Sequence, residues 1–250
     1  MRREPLTDRL GRTHTYLRIS VTDRCNYRCV YCMPPEGLSW RPRADLLTFE
    51  EIARLVGVFA QMGVRKVRLT GGEPTVRADI KSLIAGIARC EGIVDVAMTT
   101  NGHTLAKLAP ALAEAGLRRI NVSVDTLKAD RFKSLTRGGD LDRVLAGIEA
   151  ARAAGIGPVK INAVLLRDEN EDELFDLVDY FARWPHDTEL RFIEYMPFGS
   201  RWHKSIPSAE LRKRLATRFT ITRAGGATTS DGPAQRWKLA ENGLGVGFIS

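Results

Sequence analysis

Apolar residues along this chain fall into two alternating patterns. Short runs rich in β-branched residues are followed by segments in which apolar positions recur every three or four residues. The first pattern predicts strands over Tyr16–Val21, Lys66–Thr70, Val94–Thr99, Arg119–Val124, Val159–Leu165 and Glu189–Tyr195. The second predicts helices over Phe49–Met62, Ile80–Ala88, Leu105–Ala115, Ala129–Ser134, Leu141–Ala154 and Glu173–Trp184, with Gly116 and Gly155 as stop signals. Five of these six strands are reached across a helix, and helical crossovers make neighbouring strands parallel and the connections right-handed. The chain is therefore of the α/β class. A curved, partly closed barrel with its helices outside satisfies the pattern, as does an open doubly wound sheet.

After Pro197 the alternation stops. A first domain is expected over residues 1–197 and the start of a C-terminal extension over 198–250. The extension reads as a helix over Ser208–Thr217 with Ser208 as its N-cap, then strands over Phe219–Arg223, Arg236–Leu239 and Gly245–Ile249 forming an appended ribbon. Ala224–Gln235 reads as a flexible connection. Residues Ile249 and Ser250 fall within an apolar, strand-like run, which suggests a longer parent sequence.

Both architectures place a ligand site at the C-terminal ends of the strands, and the unusual residues lie there. The first strand leads to Cys25, Cys29 and Cys32, and the second to Gly71-Gly72-Glu73-Pro74. The third leads to Thr100-Asn101-Gly102, while Ser123 and Asp125 close the fourth. Asn162 lies on the fifth, and Glu194 and Met196 close the sixth.

Composition adds limits. The 250 residues are 44% hydrophobic and 27% charged, a balance suited to one large domain. The longest apolar stretches are too short to span a bilayer, and Met1-Arg2-Arg3-Glu4-Pro5 carries no apolar signal core. The cytoplasm is the expected compartment, where thiols stay reduced. The net charge of +8 permits an anionic partner such as a nucleotide. With no basic tail, zinc finger or aromatic-interleaved basic stripe, nucleic-acid binding is unsupported.

The cysteines carry the sharpest chemistry. Their spacing is C-x3-C-x2-C, and thiolates are soft ligands suited to zinc, copper(I) or iron–sulfur clusters. A structural zinc site or a ferredoxin-type cluster takes four protein ligands. Three thiolates can instead hold three irons of a cubane and leave the fourth open to a substrate or cofactor. The alternative is a zinc ion with a distant fourth ligand, although none of His14, His103, His186 and His203 stands at a finger-like spacing. Cys90, at a helix end, reads as a packed thiol. The glycines of Gly71-Gly72-Glu73-Pro74 suit a tight turn, and its carbonyls and carboxylate suit the amino group of an amino-acid-like ligand. Ser123 and Asp125 also fit a strand end and a helix cap. Arg18, Arg68 and Lys160 each sit among apolar strand neighbours. Turned inward they would need an anion, and a phosphorylated substrate would supply one.

The wider motifs carry a resemblance. Leu17–Pro34 (LRISVTDRCNYRCVYCMP), Leu46–Glu51 (LLTFEE), Val67–Pro74 (VRLTGGEP), Thr99–Gly102 (TTNG), Leu117–Asp125 (LRRINVSVD) and Arg191–Met196 (RFIEYM) together closely resemble the GTP 3′,8-cyclase family of the radical S-adenosylmethionine superfamily. The likeness runs from about Leu10 to Ser250. It implies a six-stranded partial (β/α) TIM-type barrel and the first step of molybdenum cofactor biosynthesis. Cys25, Cys29 and Cys32 would hold a [4Fe-4S] cluster with one open iron that binds S-adenosylmethionine. Tyr31, Gly72, Ser123 and Met196 match contacts to S-adenosylmethionine, and Arg18, Arg68, Thr99 and Lys160 match contacts to GTP. Reductive cleavage would give a 5′-deoxyadenosyl radical that takes hydrogen from C3′ of GTP, and the new carbon radical would attack C8. No side-chain general acid or base is needed for that abstraction. The resemblance further implies a reductase or flavodoxin-type electron donor and, functionally, cyclic pyranopterin monophosphate synthase as the next enzyme. It admits a homodimer.

Two departures stand out. Thr75 follows Gly-Gly-Glu-Pro where the family has an apolar residue. In the family, a run like Gly245–Ser250 leads into further cysteines that hold a second [4Fe-4S] cluster, and no such ligands occur within residues 1–250. On that ground S-adenosylmethionine cleavage is expected of this chain more firmly than complete cyclisation. The competing readings are another radical S-adenosylmethionine enzyme, such as a peptide-modifying one, or a non-catalytic metal- or nucleotide-binding barrel.

Overall fold

Helix starts are written into the sequence, and the first one shows how. Thr48 accepts a hydrogen bond from the Glu51 N–H (3.2 Å), while the Glu51 carboxylate accepts from the Thr48 N–H (2.8 Å), closing a reciprocal capping box. Ile52 and Val56, one turn apart, then fall on the buried face. The computed structural model describes residues 4–196, 202–224 and 233–250. Its elements in chain order are β1 (Tyr16–Ser20), α1 (Phe49–Gln61), β2 (Lys66–Thr70), α2 (Ile80–Ala88), β3 (Asp95–Thr100), α3 (Leu105–Glu114), β4 (Arg119–Ser123), α4 (Ala129–Thr136) and α5 (Leu141–Ala153). They continue with β5 (Val159–Ala163), α6 (Leu174–Phe181), β6 (Thr188–Ile193), α7 (Ser208–Leu215), β7 (Ile221–Arg223), β8 (Gln235–Leu239) and β9 (Gly245–Ile249). The expected alternation is present, and most boundaries move by one or two residues.

The chain forms two units. The first comprises Met1–Asn26, Ser39–Asn121 and Ala146–Gly157. In it β1, β2 and β3 are parallel, with Arg18 beside Arg68 and Arg68 beside Ala97. Val67 and Leu69 of β2 and Val96 and Met98 of β3 are buried, as are Leu83, Ile84 and Ile87 of α2 and Leu105 and Leu112 of α3. Burying each such side chain contributes about 1.5–3 kcal/mol. Gly147 of α5 permits a close helix approach, since a Cβ there would stand 2.8 Å from the Gly102 carbonyl oxygen and 2.9 Å from Leu105 Cβ.

The second unit comprises Tyr27–Leu38, Val122–Leu145 and Pro158–Ser250. Here β5 and β6 are parallel, and β9 adds to β6, also parallel. β8 and β7 follow as antiparallel neighbours. The expected ribbon is therefore an extension of the sheet rather than an attachment to it. Its sequence Gly245-Val246-Gly247-Phe248-Ile249 buries Val246 and Phe248 and sets Gly245 and Gly247 opposite Glu189 and Arg191 of β6.

Two local expectations need correction. Pro207, not Ser208, occupies the N-cap of α7, while the Ser208 N–H donates to the Glu194 carboxylate. α6 starts at Leu174 after a 3-10 turn, because the Glu173 side chain is fully buried and accepts from Thr126 Oγ1 (2.5 Å) and the Leu127 N–H (2.7 Å). Of the connection expected over Ala224–Gln235, residues 225–232 lie outside the described residues, as do residues 197–201 around the expected domain boundary.

Candidate active site

In the first unit, the glycine pair after β2 fixes where the cysteine segment begins. The Gly72 N–H donates to the Thr22 carbonyl and the Glu73 N–H to the Arg24 carbonyl, each at 2.8 Å. This contact requires glycine. A Cβ on Gly71, whose φ is +140°, would stand 2.3 Å from Thr22 O, and one on Gly72 would stand 2.3 Å from Arg24 O. The backbone just before Cys25 is thus laid against Gly71-Gly72, in the space a side chain on either glycine would need.

The carboxylate of Glu73 has a different role from the one expected. It is 1% exposed. Oε1 accepts from the Thr75 N–H (3.0 Å), Thr75 Oγ1 (2.7 Å) and Thr100 Oγ1 (2.7 Å), and Oε2 accepts from the Asn101 N–H (2.6 Å). It joins the loop after β2 to the loop after β3 and is saturated by the chain itself, so it does not present a free acceptor to a ligand amine. The departure at Thr75 gains a reason, since both its N–H and its hydroxyl serve this carboxylate, and Thr104 Oγ1 donates to that hydroxyl (2.8 Å). Asn101 carries the join onward: its Nδ2 donates to Asn26 Oδ1 (2.8 Å) and lies 3.9 Å from Cys25 Sγ.

Three predicted substrate residues meet in this unit. Arg18 and Arg68 are register partners, so their side chains leave the same face of the sheet. Arg68 is buried, its Nε donates to the Tyr16 hydroxyl, and its Nη1 donates to Thr99 Oγ1 (3.3 Å). Arg18, which the resemblance matches to a GTP contact, is exposed. Among the described residues β1 pairs with β2 alone, at one end of the strand order.

The second unit carries Cys29, Tyr31 and Cys32. The backbone of this segment is tied to α4: the Arg28 N–H donates to the Thr136 carbonyl (3.1 Å) and the Val30 N–H to the Leu135 carbonyl (2.9 Å). A tight turn then brings the N–H groups of Cys32 (2.9 Å) and Met33 (3.0 Å) to the Cys29 carbonyl. The Tyr31 hydroxyl donates to Asp125 Oδ2, and its ring lies edge-on to Tyr195 at 6.3 Å. Asp125 does not cap the next helix, whose N-cap is Lys128 without a side-chain cap; its Oδ1 accepts from the Val164 N–H (2.8 Å). Burial pushes the Asp125 carboxyl up to about 6 against the opposing pull of these hydrogen bonds. Burial, with the carboxylate beside it, also raises the Tyr31 phenol well above its ordinary value. Ser123 ends β4 half-buried, and Met196, just past Tyr195, is exposed. Glu194 is committed to the tail, accepting from the Ser208 N–H and from Ser250 Oγ (3.0 Å).

Lys160 belongs to a buried charge cluster that sequence reasoning missed. It is 3% exposed and stands beside Glu189 in the β5–β6 register. Arg191 Nε donates to Glu189 Oε1, and Arg236 of β8 reaches Glu189 Oε2 with Nη2 (2.5 Å) and Nε (3.0 Å). Arg236 pairs with Gly247 in the β8–β9 register, so its side chain crosses a position with no Cβ. Burial works to raise the Glu189 carboxyl, but Arg236, Arg191 and Lys160 together hold it below its ordinary value. Three cations face one carboxylate. Among the described residues, Arg191 Nη2 and Asn162 Oδ1 are buried without a partner. The signal was the charged alternation Glu189-Leu190-Arg191 in an otherwise apolar strand, matched by the Gly245-Val246-Gly247 alternation.

The donor set suits an iron–sulfur cluster. All four cysteines are thiols, three of them within eight residues, and the Gly71-Gly72 approach to the segment before Cys25 admits no side chain. The sequence matches the Radical SAM superfamily over residues 19–181. It is 48% identical over 255 residues to the GTP 3′,8-cyclase of Rhodopseudomonas palustris, covering 98% of this chain and 72% of that protein. The GTP 3′,8-cyclase of Paracoccus denitrificans gives 49% over 253 residues with the same coverage of each. This chain belongs to the GTP 3′,8-cyclase family of radical S-adenosylmethionine proteins.

Molybdenum cofactor biosynthesis protein 1 of Drosophila melanogaster is 53% identical over 200 residues, 80% of this chain and 35% of that one. Among solved structures, Streptococcus suis SuiB bound to S-adenosylmethionine superposes with a TM-score of 0.63 at 20% identity, over 81% of this chain and 47% of SuiB. HydG, a maturase of the [FeFe]-hydrogenase, superposes at 0.61 and 17% identity, over 80% and 48%. Likenesses at such identity show the fold. It is the α/β partial barrel of the radical S-adenosylmethionine type that the cyclase family resemblance implied. Among the described residues, no helix is long and apolar enough to cross a membrane.

Proposed function

We propose that this chain is a cyclase acting on GTP, forming 3′,8-cyclo-7,8-dihydro-GTP as the first step of molybdenum cofactor biosynthesis. The observation that carries this reading is the 48–49% identity to GTP 3′,8-cyclases over 98% of the chain. The superfamily uses a [4Fe-4S] cluster and S-adenosylmethionine, and Cys25, Cys29 and Cys32 are the residues that would hold the cluster. When bound, these groups would supply radical chemistry able to remove hydrogen from the ribose of GTP.

The chain's own residues bind and orient. In this reading Gly72, Tyr31, Ser123 and Met196 contact S-adenosylmethionine. Arg68, anchored by Tyr16 and Thr99, presents a fixed guanidinium beside Arg18. In this reading the pair takes an anionic part of GTP, and Lys160 supplies a further cation. Side chains held in place by the chain orient a bound ligand, which is the protein's main contribution to such a step. Within residues 1–250, Cys90 is the one cysteine outside the triplet, so this sequence holds ligands for the first cluster and none for the family's second. An electron donor of reductase or flavodoxin type, a following cyclic pyranopterin monophosphate synthase and a cytoplasmic location, where the thiolates stay reduced, complete the proposal.

The test is 5′-deoxyadenosine formation by the anaerobically reconstituted, reduced chain with and without GTP. The reading expects more product with GTP. Equal yields with and without GTP would remove the substrate assignment and leave only the superfamily chemistry.

A further inference from the structure

Two sets of hydrogen bonds hold the segment that carries Tyr31, and the second does not involve the backbone between the cysteines. The first set is the backbone ties of Arg28 and Val30 to α4, reinforced by Arg137 Nη1, which donates to the carbonyls of Arg28 (3.0 Å) and Met33 (2.8 Å). The second is the side-chain bond from the Tyr31 hydroxyl to Asp125. Asp125 is buried, and its carboxylate oxygens accept from the Val164 N–H at Oδ1 and from the phenol at Oδ2.

What stands behind Asp125 is rigid. Asn170, fully buried, donates from Nδ2 to the Asp125 carbonyl (2.7 Å) and the Val164 carbonyl (2.9 Å), and its Oδ1 accepts from the Leu166 N–H (2.7 Å). The Val124 N–H donates to the Asn162 carbonyl (2.9 Å). One residue further on, Thr126 and Leu127 are bound by the buried Glu173. A saturated polar network of this kind fixes a single geometry. It ends in one hydrogen bond directed at the aromatic residue between Cys29 and Cys32.

We infer that Asp125 is a positioning residue for S-adenosylmethionine: it fixes the direction of the Tyr31 side chain, whose ring forms a wall for the adenine. The inference rests on the reading of Tyr31 as an S-adenosylmethionine contact and adds the group that sets its orientation. Edge-on packing against Tyr195 limits the ring from one side, and a phenol tethered at its far end cannot swing about its Cα–Cβ bond. Without the tether the ring would sample other rotamers, and an adenine would have to select one.

The experiment uses the reconstituted chain with Asp125→Asn, Tyr31→Phe and the double variant. S-adenosylmethionine affinity is read by equilibrium dialysis and by the change in the electron paramagnetic resonance spectrum on adding the ligand. Iron content and the melting temperature of the metal-free chain are read beside it. Each single variant should weaken S-adenosylmethionine binding about tenfold, the factor a hydrogen bond to a charged group supports, with iron content unchanged. The double variant should bind no more weakly than Tyr31→Phe alone, because Asp125 acts through the phenol. Additive losses, or unchanged affinity in both single variants, would overturn the inference. A merely structural role would lower melting temperature and iron content together and leave the affinity of the loaded fraction intact, which also overturns it. If the wild-type chain loads iron but binds no S-adenosylmethionine, the reading of Tyr31 fails first and takes the inference with it.

Discussion

Replacing Gly72 with alanine adds one methyl group where the chain has no room for it. Its Cβ would stand 2.3 Å from Arg24 O, 2.6 Å from Arg24 C and 2.7 Å from Asp23 O. All three are backbone atoms, so no rotamer change relieves them. The nearest contact falls about 0.7 Å short of the 3.0 Å that real Cβ contacts respect, and overpacking of this kind costs roughly 1–3 kcal/mol. Moving the segment away also stretches the bonds from Gly72 N–H to Thr22 and from Glu73 N–H to Arg24, each contributing about 1 kcal/mol. The total is on the order of 3–5 kcal/mol, which for a chain of this size lowers the melting temperature by roughly 10 °C. Arg24 precedes Cys25, so the same displacement misplaces the first thiolate, and iron loading should fall with stability. The assay is the melting temperature of the metal-free chain together with iron and sulfide per chain after anaerobic reconstitution. Gly57→Ala is the control, because a Cβ there meets nothing within 4 Å on α1 and should stabilise the helix by about 0.5–1 kcal/mol. If Gly72→Ala melts with the wild type and loads as much iron, the reasoning about this contact is wrong.

Other outcomes follow from the same geometry. Glu73→Gln sets an amide N–H₂ against donors that now face a carboxylate, and should lower the denaturant midpoint by an amount equivalent to roughly 2–3 kcal/mol, with the slope of the transition unchanged. An unchanged midpoint would show that the carboxylate does not hold the two loops together. Cys29→Ala should abolish iron loading, whereas Cys90→Ala should not, because Cys90 Sγ is turned toward the carbonyls of Gly86 (3.4 Å) and Ala53 (3.6 Å). Iron retained by Cys29→Ala would argue against the triplet as ligands. Glu189 is held below its ordinary pKa in the folded chain, so its stabilising effect is complete above the unfolded value of about 4.3 and lost as pH falls through the lower folded value. The stability gap between wild type and Glu189→Gln should therefore be widest near neutral pH and narrow below about pH 4.3, in urea titrations at a series of pH values. A gap independent of pH would refute the ion-pair assignment.

The strand-and-helix order was legible because burial on this chain follows periodicity. β2 (Lys66–Thr70) and α2 (Ile80–Ala88) fall at the expected residues, since β-branched and helical-face positions leave little choice there. The cysteine spacing and the glycine pair were equally plain, each being a local constraint. What stayed hidden depends on partners distant in sequence. Nothing near Glu73 marks it as saturated, because two of its donors come from the end of β3 and the residue after it. Asp125 looked like a strand end until Tyr31, 94 residues away, was placed against it. The Glu189 cluster needed the parallel addition of β9 to β6, whose glycines let Arg236 cross. Ser208 has the composition of an N-cap, but Pro207 takes that place and Glu194 captures the Ser208 N–H instead.

The central claim, that this family member directs radical chemistry at the ribose of GTP, is tested most directly by isotope transfer. The reduced, reconstituted chain is given S-adenosylmethionine and GTP deuterated at C3′, and the 5′-deoxyadenosine formed is analysed by mass spectrometry. The account predicts deuterium in the 5′-deoxyadenosine and no product from Cys29→Ala. Product that carries no deuterium, formed equally when GTP is withheld, would contradict it.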